Sequence, residues 1–514
     1  MSRIESSVKN IKYSMIGQVI IMLAGFVTRM VFVRTLGSEY LGLNGLFSNI
    51  LQILSLSELG IGTAIIFSMY KPLSENDVPK LQALMKLYKK AYITIGLLIL
   101  ISGSALTPFL SFFIKKMPDI PHLQIIYLMY VLSSGVSYFF SYKRSFLIAD
   151  QKKYIDAYYH NIIFLIFIAL ENIILLMTHN FMLYLGLQIV STFTENLIVT
   201  RKIDKLYPFL KEKNDSVLDK SEKDTIFKNV KALVVHRFGD VVVMQTDNII
   251  ISKFIGIIQV GMYSNYMLLI MAVNSIFTIF FQSISASIGN LGASESTEKK
   301  LFIFRSLDLF GFWLYAFAAI CLVCLANPFI YLWVGKEYMF PITTVLFILT
   351  SYYLTGRRES VLSFKDALGL YWQDRYKPFF EAGINLVASI LLVQKMGVPG
   401  VFLGTIISTL TTCFWVEPFI VFKFGFNTPV KSYFIRYGLY TAAMAAVGGL
   451  TWLACSLFSS FSVMDFIARM FICAIVPNAL FTALFWKTKE FRYLVSVIKP
   501  IAENLLIKIK IKKA

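Results

Sequence analysis

Charged side chains are scarce in this chain. Only 15% of its 514 residues are Asp, Glu, Lys or Arg, whereas 57% are hydrophobic and 46 are Phe. A soluble domain carries about a quarter charged residues, so an ordinary water-facing surface is excluded and a lipid-facing one implied. Cysteine is also rare: Cys321, Cys324, Cys413, Cys455 and Cys473, all inside apolar runs. Cys321-x-x-Cys324 has redox or zinc-like spacing, but no second pair accompanies it, so it reads as core packing. No nucleophile–base–acid set, phosphate loop or metal-ligand cluster is evident, and the reading is therefore of a non-enzyme with no cofactor and no metal. The start carries no cleavable signal either: the first apolar run is long and lacks a small-residue cleavage site.

What the chain does have is positive charge, a net +19. Its Lys and Arg lie between the apolar runs rather than in one patch, which fits a topology signal and not a nucleic-acid partner. A spanning helix needs about 20 predominantly apolar residues. Fourteen segments meet that ruler: 12–34, 41–67, 91–114, 123–142, 159–178, 181–200, 232–256, 260–286, 304–326, 340–356, 378–395, 399–422, 433–458 and 463–486. The segment 340–356 is short, and 232–256 is polar enough to escape a hydropathy window. With the N-terminus inside, 40 of the 49 Lys and Arg fall on inner segments, five on outer connections and four within helices. That bias places both termini in the cytoplasm. The outer connections are short. Of the inner ones, Val78 to Lys90 and Glu490 to Lys513 read as amphipathic helices on the anionic inner surface. Lys202 to Lys231, mixing both signs of charge, reads as a solvated linker.

The chain repeats itself. Arg34-x-x-Gly37-x-x-x-x-Gly42 returns as Lys253-x-x-Gly256-x-x-x-x-Gly261, at an offset of 219 in all three positions. Ser145-Phe146 and Asp156 match Ser363-Phe364 and Asp374 at 218, and Glu195-x-x-Ile198-Val199-x-Arg201 matches Glu417-x-x-Ile420-Val421-x-Lys423 at 222. The expected architecture is all-α and polytopic. It comprises a six-helix lobe (1–200), a cytoplasmic linker (201–231), a second six-helix lobe (232–424), an additional helix pair (433–486) and a basic tail (487–514). An even helix count makes the repeats parallel, and two such lobes flanking a cleft form an alternating-access design. Nothing resembles a channel's selectivity filter.

Charges at membrane depth cost about 2.5–3.5 kcal/mol each and are functional candidates by default. Ser14, Gln18, Gly25 and Arg29 share a face of the first helix. Shifting by 219 sets Gln18 on Arg237 and Arg29 on Asn248, so each lobe offers a cation and an amide on equivalent stripes. His236, Asp240 and Asp247 form a second stripe on the seventh helix. Arginine suits an anionic head group because its planar fork donates bidentately to phosphate oxygens. The substrate-binding candidates are Arg29, Arg237, Gln18, Asn248, Arg34 and Lys253, although the last two sit near helix ends and also suit snorkelling. The coupling or cavity carboxylates are Glu58, Asp240, Asp247 and Glu381. Structural alternatives are an Arg237–Asp240 pair that lets the helix insert, and a surface pair of Asp465 with Arg469.

Several blocks resemble the bacterial polysaccharide repeat-unit flippases. They are Ser57-Glu58-Leu59-Gly60-Ile61-Gly62-Thr63-Ala64-Ile65, Thr246-Asp247-Asn248-Ile249-Ile250-Ile251-Ser252 followed by Tyr263-Ser264-Asn265-Tyr266, Ala149-Asp150-Gln151-Lys152, and Glu381-Ala382-Gly383-Ile384-Asn385-Leu386 through Gly404-Thr405-Ile406-Ile407-Ser408. Together they cover about residues 1–425. The family belongs to the multidrug, oligosaccharidyl-lipid and polysaccharide exporter superfamily, whose fold of two six-helix lobes in a V agrees with the repeat. The final pair is similar to the one related lipid II flippases place beside a lipid-tail groove. The resemblance implies a bacterial cytoplasmic-membrane flippase for polyprenyl-diphosphate-linked glycan, with membrane lipid, a polysaccharide polymerase and glycosyltransferases as partners. The diphosphate would be the anion met by Arg29 and Arg237. Rival readings are a cation-coupled multidrug exporter of the same superfamily, and a polymerase or ligase, which the short outer connections disfavour.

Overall fold

The computed structural model describes residues 3–58, 60–212, 217–294, 296–497 and 499–500. All regular elements among them are helical. This is what lipid imposes, because a backbone without water must satisfy its own N–H and C=O groups. By internal contacts the chain divides into Met1–Ser264 and Asn265–Ala514.

The first unit holds α1 (Arg3–Leu36), α2 (Ser38–Leu54), α3 (Ile61–Glu75), α4 (Val78–Leu106), α5 (Leu110–Phe113), α6 (Leu123–Ser141), α7 (Arg144–Ala149), α8 (Lys153–Thr178), α9 (Phe181–Leu206), α10 (Lys220–Phe254) and the first two turns of α11 (Ile257–Ser294). The second holds the rest of α11, α12 (Thr297–Trp333), α13 (Ile342–Arg357), α14 (Glu359–Ala367), α15 (Lys377–Met396), α16 (Val398–Thr411), α17 (Cys413–Ile420), α18 (Lys431–Ser456) and α19 (Val463–Phe485). The division falls later than the 201–231 linker because α10 packs against α2 and α3.

Eleven helices among the described residues are long and apolar enough to cross a membrane. Three of the fourteen expected segments are helical but fall short of that measure. The segment 232–256 lies in α10, which is too polar, and 340–356 lies in the 16-residue α13. The segment 41–67 is not one helix. A 3₁₀ turn over Ser55–Glu58 and Gly60 at φ +89° separate α2 from α3. A left-handed φ favours glycine, so the break is written into Gly60. Residues lining the outside are apolar, among them Leu23, Ile101, Ile166, Val387, Leu439 and Phe471. On a protein in water such a surface would aggregate; against acyl chains it is solvated.

Caps and prolines set the other boundaries. Asn180 Oδ1 accepts from the Met182 and Leu183 N–H groups, and Ser462 Oγ accepts from Asp465 N–H. Pro79, Pro378 and Pro399 occupy first-turn positions, where a missing N–H costs nothing. Pro418 within α17 precedes a π-helical turn over Val421–Phe426.

Two interhelical connections differ from expectation. Val78 to Lys90 is not a separate surface helix but the first turns of α4. Its Leu81, Leu84, Met85 and Tyr88 are buried, and Gln82 Nε2 donates to Phe209 O. The charged stretch 202–231 is helical at both ends, with α9 reaching Leu206 and α10 starting at Lys220. Lys80 pairs with Glu222 across it, and this pairing lowers the Glu222 carboxyl below its ordinary range.

Both halves of the repeat are visible in the packing. A Cβ on Gly261 would lie 2.5 Å from Ser38 O, and one on Gly42 would lie closer still to Ile257 O. Ser38 and Ile257 are themselves 219 residues apart. Equivalent glycines thus receive equivalent carbonyls, as an internal two-fold relation requires. The short helices α7 and α14 carry the matching Ser145-Phe146 and Ser363-Phe364.

Candidate functional site

Arg29 sits on α1 among apolar neighbours, and the fold supplies it with neutral polar groups. Its half-buried guanidinium donates from Nη1 to Ser264 Oγ at 2.9 Å. Ser264 gives its own proton to Gly261 O at 2.7 Å, which leaves the oxygen free to accept. Tyr130 from α6 and Tyr184 from α9 lie beside the guanidinium. The Tyr130 hydroxyl donates to Asn44 Oδ1 at 2.8 Å, and Gln188 bonds both Tyr184 and the buried Glu171. No carboxylate among the described residues lies within ion-pair distance of Arg29. A cation at membrane depth with hydroxyl and amide neighbours retains donors for an incoming anion.

A second polar group joins α2 to α10. Asn49 Nδ2 donates to Gln245 Oε1 at 2.8 Å, and Asn248 Nδ2 donates to Asn49 Oδ1 at 3.0 Å. Asp247, next along α10, is buried, and its Oδ1 has no hydrogen-bond partner among the described residues. Glu58, in the turn before Gly60, accepts from the hydroxyls of Tyr92 and Tyr138, each at 2.6 Å. Tyr92 in turn accepts from Tyr88, which meets Ser145 at 2.8 Å.

The remaining candidates scatter. Gln18 is exposed on α1, and Arg34 is exposed in its last turn. Lys253 caps the end of α10 and lies 4.8 Å from the Phe112 ring centre. The side chains of Ser14, His236, Arg237 and Asp240 lie outside the described residues. Asp465 and Arg469 do not pair: Asp465 accepts from Ser460, while Arg469 donates to Phe458 O at 2.9 Å. The helix-end carbonyl outcompetes the carboxylate because a buried C=O without a donor is costly.

In the second unit Glu381 belongs to a larger ion network. Glu417 accepts from Arg358 at 2.7 Å and Lys377 at 2.8 Å, and Lys377 also reaches Glu381 at 3.1 Å. Its counterpart in the first unit, Glu195, takes Arg144 at 2.6 Å and His160 at 3.1 Å. In both cases the carboxylate comes from the end of a long helix, one cation adjoins the short helix α7 or α14, and the other base comes from α8 or α15. Arg357 is enclosed with Asp308 at 2.9 Å and faces the rings of Phe312, Tyr437 and Tyr440. Sequence reasoning matched Glu195 with Glu417 but counted Arg357 and Arg358 as loop charges. It passed over Glu171, Tyr130 and Tyr184, which carry no motif; only their helix phases relative to Arg29 could have flagged them.

Comparison with known proteins assigns the family. A family model described as polysaccharide biosynthesis protein matches residues 7–285, more than half of the chain. The chain belongs to that family. No curated protein matches it in sequence. Among solved structures the family member resembles the lipid II flippase MurJ in an inward closed conformation, with a TM-score of 0.63 at 13% identity over 92% of this chain and 99% of that one. An inward-facing multidrug resistance MATE transporter of the MOP superfamily gives 0.61 at 14%, over 81% and 98%. A MOP superfamily transporter from Pyrococcus furiosus, described as having a binding pocket of reversed polarity, gives 0.54 at 13%, over 82% and 97%. These likenesses establish a transporter fold.

Proposed function

We propose that this member of the polysaccharide biosynthesis family is a flippase. It moves polyprenyl-diphosphate-linked oligosaccharide repeat units across a bacterial cytoplasmic membrane by alternating access, and so feeds a polymerase with units made by glycosyltransferases. The observation that carries this reading is Arg29, an intramembrane guanidinium held by Ser264 and flanked by Tyr130 and Tyr184, with no carboxylate partner among the described residues. A diphosphate offers the missing anion, and two N–H donors on a rigid fork match its oxygens. The family's polysaccharide role and the fold of MurJ, itself a lipid II flippase, support the substrate class. Solved relatives of the same fold in inward- and outward-facing conformations support alternating access. Arg237 and Asn248 join the site on the repeat relation, and the Lys/Arg distribution supports cytoplasmic termini.

The test is export in cells. Arg29→Ala, at wild-type protein levels, is expected to abolish surface polymer and to accumulate inward-facing lipid-linked repeat units, while Arg29→Lys retains part of the flux. Normal polymer from Arg29→Ala would sink the diphosphate clamp.

A cation-coupled multidrug exporter is the second reading. Asp247, buried with an unpartnered carboxylate oxygen, and the MATE likeness favour it. Drug sensitivity in a deletion strain that keeps its polymer would select it.

A further inference from the structure

Four of the five cysteines converge in the second unit, although they lie on three helices and span 152 residues. Cys324 of α12, Cys455 of α18 and Cys473 of α19 are buried, and their Sγ atoms all lie within 4.8 Å of one another. Cys455 and Cys473 are 3.8 Å apart, sulfur to sulfur. Cys321, one turn before Cys324, packs against the group and directs its Sγ at Cys473 O, 3.8 Å away. The second pair that the Cys321-x-x-Cys324 spacing lacked in sequence is therefore supplied by tertiary structure.

We infer that Cys324, Cys455 and Cys473, with Cys321 at the margin, form a binding site for one thiophilic d10 cation, Zn2+ or Cu+. A zinc–thiolate bond of about 2.3 Å in a tetrahedron sets neighbouring sulfurs about 3.8 Å apart, which is the Cys455–Cys473 separation. Soft thiolates select these ions over Mg2+ or Ca2+. Binding releases the thiol protons to solvent and leaves a site of net negative charge. Arg469 is placed to balance it: the guanidinium donates to Cys324 O at 3.5 Å and to Phe458 O. The consequence is mechanical. The ion would tie α18 and α19 to α12, where aromatic contacts such as Phe312 with Tyr440 and Phe481 already hold the three helices together. The competing account is that thiols here are merely small apolar packing groups.

The full-length protein, purified in detergent under reducing conditions without chelator, distinguishes the two. Elemental analysis is expected to find about one Zn2+ or Cu+ per chain. Exchange with Co2+ is expected to give sulfur-to-cobalt charge-transfer absorption. Cys455→Ser and Cys473→Ser are each expected to weaken Zn2+ binding at least about ten-fold, while Cys413→Ser, outside the cluster, leaves it intact. Should a variant fail to fold, the wild-type cobalt spectrum still decides. Absence of charge-transfer absorption, equal metal content in the Cys455→Ser protein, or a Cys455–Cys473 disulfide in the reduced preparation would each overturn the site.

Discussion

Gly42 and Gly261 stand 219 residues apart and meet at one crossing, where each removes the side chain that would strike the other's helix. Gly42 faces Ile257 O, and Gly261 faces Ser38 O and Gly42 N. The contact is self-complementary because two copies of one ancestral turn pack on each other.

The crossing tolerates no larger residue. Gly42→Val and Gly261→Val are expected to eliminate monodisperse protein, since the clash is with backbone rather than a mobile side-chain tip. Gly25→Ala serves as the control: a Cβ there meets no heavy atom within 4 Å, and the change is expected to be neutral or stabilising by about 0.5–1 kcal/mol. Size-exclusion yield and thermal unfolding check both.

Ser264 positions Arg29. Ser264→Ala removes one hydrogen bond to a charged group, expected to weaken the arrangement by about 1.5–3 kcal/mol while the fold persists. Export flux should fall less than in Arg29→Ala. The double variant should be no worse than Arg29→Ala alone, because the two substitutions act on one interaction.

The paired networks differ in burial, and their variants should differ accordingly. Glu417 has a fully enclosed side chain, and Glu417→Gln leaves Arg358 and Lys377 poorly compensated, with an expected loss of about 3–5 kcal/mol. Glu195 retains 14% exposure, so water screens the equivalent loss and Glu195→Gln should cost clearly less. Thermal unfolding of the two purified variants reads the difference.

Glu58 depends on two tyrosines. Tyr92→Phe and Tyr138→Phe each delete one hydroxyl donor at 2.6 Å, with an expected loss of about 1–3 kcal/mol apiece. The double variant should lose more than either single one, because both hydroxyls serve the same buried carboxyl. Melting temperatures of the three proteins test this.

Glu490 links the end of the chain to α18 through Arg436, at 2.9 Å. Burial pushes its carboxyl up, but a backbone N–H and the Arg436 guanidinium outweigh that and hold it below the ordinary range. A depressed carboxylate contributes stability above its unfolded pKa and loses it as pH falls through the folded value. Acid titration of stability should therefore be shallower in Glu490→Gln than in wild type.

Sequence alone determined the class, the helical segments and the duplication. Lipid enforces long apolar runs and intrahelical hydrogen bonding, so hydropathy reads them directly. The two polar or short segments, 232–256 and 340–356, were legible as helices only because the repeat and the charge alternation demanded them. A hinge at Gly60 was less legible, since a continuous apolar run hides a single left-handed residue. Which polar groups meet was decided by tertiary structure. The tyrosines around Arg29, the enclosure of Arg357 with Asp308 and the gathering of Cys324, Cys455 and Cys473 all depend on how each helix is rotated about its axis against another. That rotation is set by packing between residues hundreds of positions apart, and no local pattern records it.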